Sequence, residues 1–219
     1  MFGDLQFGLM QGAREDAPEE KRIYGVALAT VINNIDPTGE ARVMLMLPWL
    51  PSITPWARVA VPMAGMGRGM YFVPQIGDEV LVAFDHGDVR EPFVIGSLWN
   101  TLDRPPVIDP TGPVTTRKIR TPLGHELIFD EALQSVTLSS NTQSTVTLDP
   151  TKAEISTPLA KVSIGKAGDV TISGATRITL DAPIIEIKAK TVLNAQSNGS
   201  ATFSSSGTCF VKGALVQIN

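Results

Sequence analysis

The chain has 219 residues, 43% of them hydrophobic, with a formal net charge of -4 and a single cysteine. That length allows two modest domains, the apolar fraction is that of an ordinary globular protein, and the lone Cys209 excludes an intrachain disulfide framework. The charge is concentrated at the start, where Arg14 stands against Asp4, Glu15, Asp16, Glu19 and Glu20; the near-neutral remainder argues against a nucleic-acid footprint.

The first residues have neither a basic region nor a long apolar core, and no apolar run is long enough to span a bilayer. The expectation is a protein made in the cytoplasm without a signal peptide. Phe2, Leu5 and Leu9 fall at helical spacing, so residues 1–11 read either as a frayed end or as one or two amphipathic turns of a docking segment that spans residues 1–20.

Residues 21–103 carry an all-β pattern. Strands are expected over 24–32, 41–47, 56–61, 70–73, 79–84 and 92–97, where β-branched and aromatic residues run between turn signals. Asn33, Asn34, Asp36, Pro37 and Gly39 supply turn chemistry between the first two. The glycines from Gly65 to Gly69 suggest a flexible loop, and Asp85, His86, Gly87 and Asp88 a turn. Five or six short strands in this length suggest a small closed barrel of the OB type.

All three tryptophans and both tyrosines precede residue 100, while Ser and Thr crowd the part after 135. Residues 104–134, opening on Pro105 and Pro106, read as linker and neck. From 135 to 219 the chain repeats a strand-sized unit: Ser135-Val-Thr-Leu138, Thr145-Val-Thr-Leu148, Lys161-Val-Ser-Ile164, Asp169-Val-Thr-Ile172, Arg177-Ile-Thr-Leu180, Ile184-Ile-Glu-Ile187 and Leu215-Val-Gln-Ile218. Val162, Val170 and Ile178 stand eight residues apart, with seven more to Ile185. Such a period signals a repeat architecture.

Eight residues at about 3.3 Å each span too little to make three walls of a single-chain solenoid. Three copies wound about one axis, each supplying one wall per repeat, solve the burial problem. The expected fold is therefore all-β, an N-terminal OB barrel followed by an intertwined trimeric β-helix whose strands pair with those of neighbouring chains. Its core is expected to contain Val162, Ile164, Val170, Ile172, Ile178, Leu180, Ile185 and Ile187, with Thr, Ser, Lys and Glu facing water.

Catalytic chemistry is not expected. His86 lies in a turn, His125 in the neck and Cys209 in the repeat, so no nucleophile, base and orienting group converge. Asp78 with Glu79, and Asp130 with Glu131, are adjacent carboxylates, and neighbours on a strand point to opposite faces. The glycines of the 65–69 loop lack the Lys and Ser or Thr of a phosphate loop. Neither a metal nor another cofactor is called for.

The barrel motifs have a family resemblance. Asn33-Asn34, Asp36-Pro37, Gly39, Ala41-Arg42-Val43, Leu47-Pro48-Trp49, Pro55-Trp56-Ala57-Arg58-Val59, Gly65-Met66-Gly67-Arg68-Gly69, Gln75-Ile76-Gly77-Asp78-Glu79-Val80 and Ile95-Gly96-Ser97-Leu98 resemble the OB domain of central spike proteins in contractile injection machines. These include phage baseplate assembly protein V and the valine-glycine-repeat protein of type VI secretion. Residues 117–131 resemble the neck that joins their barrel to a trimeric β-helix.

The resemblance implies a homotrimer in a baseplate, with a separate hub protein at the barrel end, reached through Phe2, Leu5 and Leu9. It also implies a conical tip protein of the proline-alanine-alanine-arginine kind seated on Leu215, Val216, Gln217, Ile218 and Asn219. The inner tube would be an indirect partner, and the target membrane a partner only during injection. No His follows His125, so the apical metal motif of some relatives is not expected, and residues 101–120 leave no room for their hydrolase insertion. Two rival readings are an OB module binding nucleic acid or glycan with an oligomerising stalk, and a trimeric fibre or adhesin stalk. The barrel segment has seven basic residues against eight acidic ones, which disfavours a nucleic-acid groove.

Overall fold

The computed structural model describes residues 22–107 and 113–217. Five strands close a barrel in the order β1-β2-β3-β7-β6: β1 (Ala27–Asn33), β2 (Val43–Met46), β3 (Trp56–Val59), β6 (Glu79–Phe84) and β7 (Pro92–Leu98). Neighbours are antiparallel except β3 and β7, which run parallel. That Greek-key closure is the OB arrangement expected from the sequence.

The barrel follows from alternation. Along β6 the burial pattern alternates strictly, sending Val80, Val82 and Phe84 inward. They meet Ala29, Val31, Val43, Leu45, Leu47, Ala57 and Val94 in one core, nearly all of it inaccessible to solvent. Strand entry is set by turns. Gly77 has φ 99° and donates its N–H to the Val31 carbonyl at 2.8 Å, and the Asp78 carboxylate accepts from Gln75 N at 2.8 Å. The β6–β7 register shifts between Leu81 and Val82, where Gly96 lies opposite Leu81.

The expected loop at 64–69 is instead a small hairpin of β4 (Ala64–Gly65) and β5 (Arg68–Gly69), and no strand forms over 70–73. Met66 and Gly67 make the tight turn, with Gly67 at φ 63°. Gly69 admits no side chain, since a Cβ there would sit 2.7 Å from the Met63 carbonyl oxygen. These glycines serve a defined turn.

Beyond the barrel, seven strands form one antiparallel meander in chain order: β8 (Thr116–Arg120), β9 (Glu126–Asp130), β10 (Ser135–Ser139), β11 (Thr145–Leu148), β12 (Lys152–Ser156), β13 (Ala160–Gly165) and β14 (Val170–Gly174). Neck and first repeat units are thus continuous in one sheet. Over this stretch each strand pairs with its own chain neighbours. The turns explain it: Gln134 and Gln143 adopt φ 51° and 63°, Gly168 adopts φ 91°, and Asp149 Oδ1 accepts from the N–H groups of Thr151 and Lys152. Each reverses the chain. From Ala175 to Gln217 no strand is formed.

Candidate interaction surface

An antiparallel ladder puts directly opposed residues on one face. In the meander this produces two parallel apolar rows. The first is Ile119, Leu127, Leu138, Val146, Ile155, Val162 and Ile172, each opposite the next. The second is Phe129, Val136, Leu148, Ala153, Ile164 and Val170. Among the described residues nothing covers this face.

Its exposure inverts the usual order. In β11, Val146 and Leu148 are exposed while Thr145 and Thr147 are half-buried; in β12, Ile155 is the exposed residue at 58% while Lys152 and Glu154 are half-buried. A two-row band of aliphatic side chains open to water is the mark of an interface.

The opposite face is satisfied within the chain. Lys118 Nζ lies 3.0 Å from Glu126 Oε1, and Lys152 Nζ 3.0 Å from Glu154 Oε2, with Lys161 also near at 3.7 Å. The hydrogen-bonded Lys152, with Lys161 beside it, holds the Glu154 carboxyl below the usual carboxylate range. Thr145 and Ser156 hydroxyls meet at 2.7 Å. One face is internally paired and the other has no partner.

Of the residues expected in a trimer core, Val162 opposes Ile172 and Ile164 opposes Val170 within the apolar rows. Ile178, Leu180, Ile185 and Ile187 lie in the strandless segment and are all more than half exposed. The structure joins the first four and leaves the second four apart from them. Leu215 and Val216 are exposed at 84% and 49%, and Gln217 is exposed too. Ile218, Asn219, Phe2, Leu5 and Leu9 lie outside the described residues.

Sequence reasoning missed β12, and with it Ile155, which joins Val146 to Val162 in the first row. The signal was spacing: Val146 and Val162 stand sixteen residues apart, two periods of the repeat, so a unit had to lie between them.

The remaining polar groups form structure. Asp36 receives Arg42 Nη2 at 3.0 Å and Arg42 Nε at 3.2 Å, and also the N–H groups of Thr38, Glu40 and Arg42. The Arg42 guanidinium first, then these turn donors, hold its carboxyl well below the usual range. His86 sits in the 3-10 turn Asp85–Gly87 with φ 46°, almost fully exposed. His125 accepts a long 3.4 Å bond from Asn141 N at Nδ1, which ties the neck turn to the next hairpin. Among the described residues no group of three or more His, Cys, Asp or Glu could hold a metal, and no helix is long and apolar enough to cross a membrane.

A small closed barrel of the OB type is thus followed by a sheet with one apolar face that no described residue covers. Residues 27–99 match the family described as the type VI secretion system/phage-baseplate injector OB domain, and the chain carries that domain. It is 36% identical over 98 residues to the type VI secretion system spike protein VgrG2a of Pseudomonas aeruginosa, an alignment covering 39% of this chain and 11% of that protein. Identity to VgrG2b of the same organism is also 36% over 98 residues, covering 9% of that protein. The actin cross-linking toxin VgrG1 of Vibrio cholerae is 30% identical over 117 residues, 46% of this chain and 10% of the toxin. The chain thus aligns with about a tenth of the length of these curated relatives. Over this domain the chain is similar to VgrG spike proteins.

Proposed function

We propose that the chain forms the homotrimeric central spike of a contractile phage tail or phage-tail-like injection particle and acts mechanically, without catalysis. The observation that carries this is the double apolar row from Ile119 to Ile172, open on a chain whose barrel is an injector OB domain. Three copies placed about an axis with these faces inward bury both rows and leave the ion-paired faces outside. Such a prism is stiff, since every wall is a continuous hydrogen-bonded ladder. Sheath contraction would drive it point first, and its narrow section would concentrate force on the target envelope.

In this reading the barrel end meets the hub, with Phe2, Leu5 and Leu9 contributing. The far end, from Leu215 to Asn219, seats the proline-alanine-alanine-arginine-type tip. The test is antibody labelling of assembled particles in the electron microscope. Label on the particle axis at the baseplate is expected; label at the tail periphery would refute the spike and favour a fibre stalk.

A further inference from the structure

We propose that Asn198 is a self-modifying site: the Gly199 backbone nitrogen attacks its side-chain amide and converts it through a succinimide to isoaspartate and aspartate. The proposal is independent of the trimer reading. Asn33, Asn34, Asn100, Asn141 and Asn194 precede Asn, Ile, Thr, Thr and Ala, whereas Asn198 alone precedes glycine. Glycine has no Cβ to shield its nitrogen or restrict its backbone, so the main chain can bring that nitrogen onto the neighbouring side chain.

The structure leaves the reaction path open. The chain bends at Asn198 and Gly199, within a strandless segment whose residues from 175 to 217 are all exposed. Ser197 Oγ accepts the Gly199 N–H at 3.2 Å and donates to the Ser200 carbonyl at 3.2 Å, which holds Asn198 at the corner of the turn. The Ser197 hydroxyl is itself exposed, so water reaches the proton that has to leave. A Cβ added at Gly199 would meet nothing within 4 Å, so no neighbouring atom crowds the ring as it closes. Among the described residues the Asn198 side chain makes no hydrogen bond. Other asparagines are held: Asn34 Nδ2 donates to the Pro74 carbonyl at 3.1 Å, and Asn100 Oδ1 accepts from Leu102 N and Asp103 N at 2.8 Å each. Residues 196–200, Gln-Ser-Asn-Gly-Ser, carry no apolar side chain, so this turn stays in water whether or not the strand-patterned runs around it are covered.

The step balances without enzyme or cofactor. Gly199 N gives its proton to water and bonds to Asn198 Cγ; the Cγ–Nδ2 bond breaks, and the amide nitrogen leaves as ammonia. Water then opens the imide at either carbonyl, giving aspartate or isoaspartate, the latter with the main chain routed through the side-chain carbon. Each event adds one negative charge, taking the formal net charge of the chain from -4 to -5. In isoaspartate the backbone is also longer by one carbon, just ahead of the Ala201-Thr-Phe203 alternation.

Peptide mapping by mass spectrometry of the full-length protein, aged in mildly alkaline buffer, tests this. Asn198 should convert at least about tenfold faster than Asn194 in the same segment, a barrier lower by about 1.4 kcal/mol, with isoaspartate among the products. Gly199→Ala, which the open space at Gly199 accommodates, should slow Asn198 by a similar factor and leave Asn194 unchanged. The native protein should convert at nearly the rate of the urea-unfolded chain. Asn198 converting no faster than Asn194, an unchanged rate in Gly199→Ala, or a native chain that stays intact while the unfolded chain converts would each overturn the proposal.

Discussion

Ile155→Asp strikes the interior of the apolar band. Ile155 lies opposite Val146 on one side and Val162 on the other, and 58% of it is open in the single chain. Burying a whole isoleucine is worth about 1.5 to 3 kcal/mol. Covering the open part is worth roughly 1 to 1.7 kcal/mol per copy, or about 3 to 5 kcal/mol for three copies, some two to three and a half decades in the association constant. The carboxylate adds several kcal/mol per copy, because three like charges would meet in an apolar interior. Trimers stable at micromolar concentration should therefore be lost. The control is Thr171→Asp, which puts the same charge on the opposite, polar face of β14, where Thr171 opposes Ser163. Sedimentation velocity reads both. Trimeric Ile155→Asp, or a trimer broken equally by Thr171→Asp, would refute the inward assignment of these rows.

Leu45→Ala, at a fully buried barrel position, should cost about 2 to 5 kcal/mol in urea denaturation while leaving the oligomeric state intact. Acid should weaken the barrel through Asp36. Its folded carboxyl titrates below its unfolded value, so its contribution is full above the ordinary carboxylate range and is lost as pH falls through and below that range. Asp36→Asn should be less stable than the parent near neutrality, with the difference shrinking in acid; an unchanged difference would place the stabilisation elsewhere.

Much of this was legible in residues. The alternation of Val80, Val82 and Phe84 announces β6, and the Asn33 to Gly39 turn announces the β1–β2 hairpin, because period and turn chemistry are local properties. The 64–69 hairpin was not legible as such. Gly65, Gly67 and Gly69 read equally as freedom or as a turn, and only the approach of the Met63 carbonyl to Gly69 decides between them. The partner of each repeat strand was also hidden. Val162 alternates with Ser163 whether its neighbour is its own hairpin arm or another chain, since a sheet face is the same in both cases. Alternation found the apolar face; the turns at Gln143 and Gly168, whose left-handed backbone is seen only in three dimensions, set who pairs with whom.

The central claim is that three copies close over the apolar face. The solution mass of the purified full-length chain by light scattering tests it most directly. Three copies of 23.4 kDa, about 70 kDa, are expected at micromolar concentration, with a chain cut before Ser135 falling to monomer. A stable full-length monomer of 23.4 kDa would contradict the trimer and leave an injector-type OB domain with an uncovered sheet.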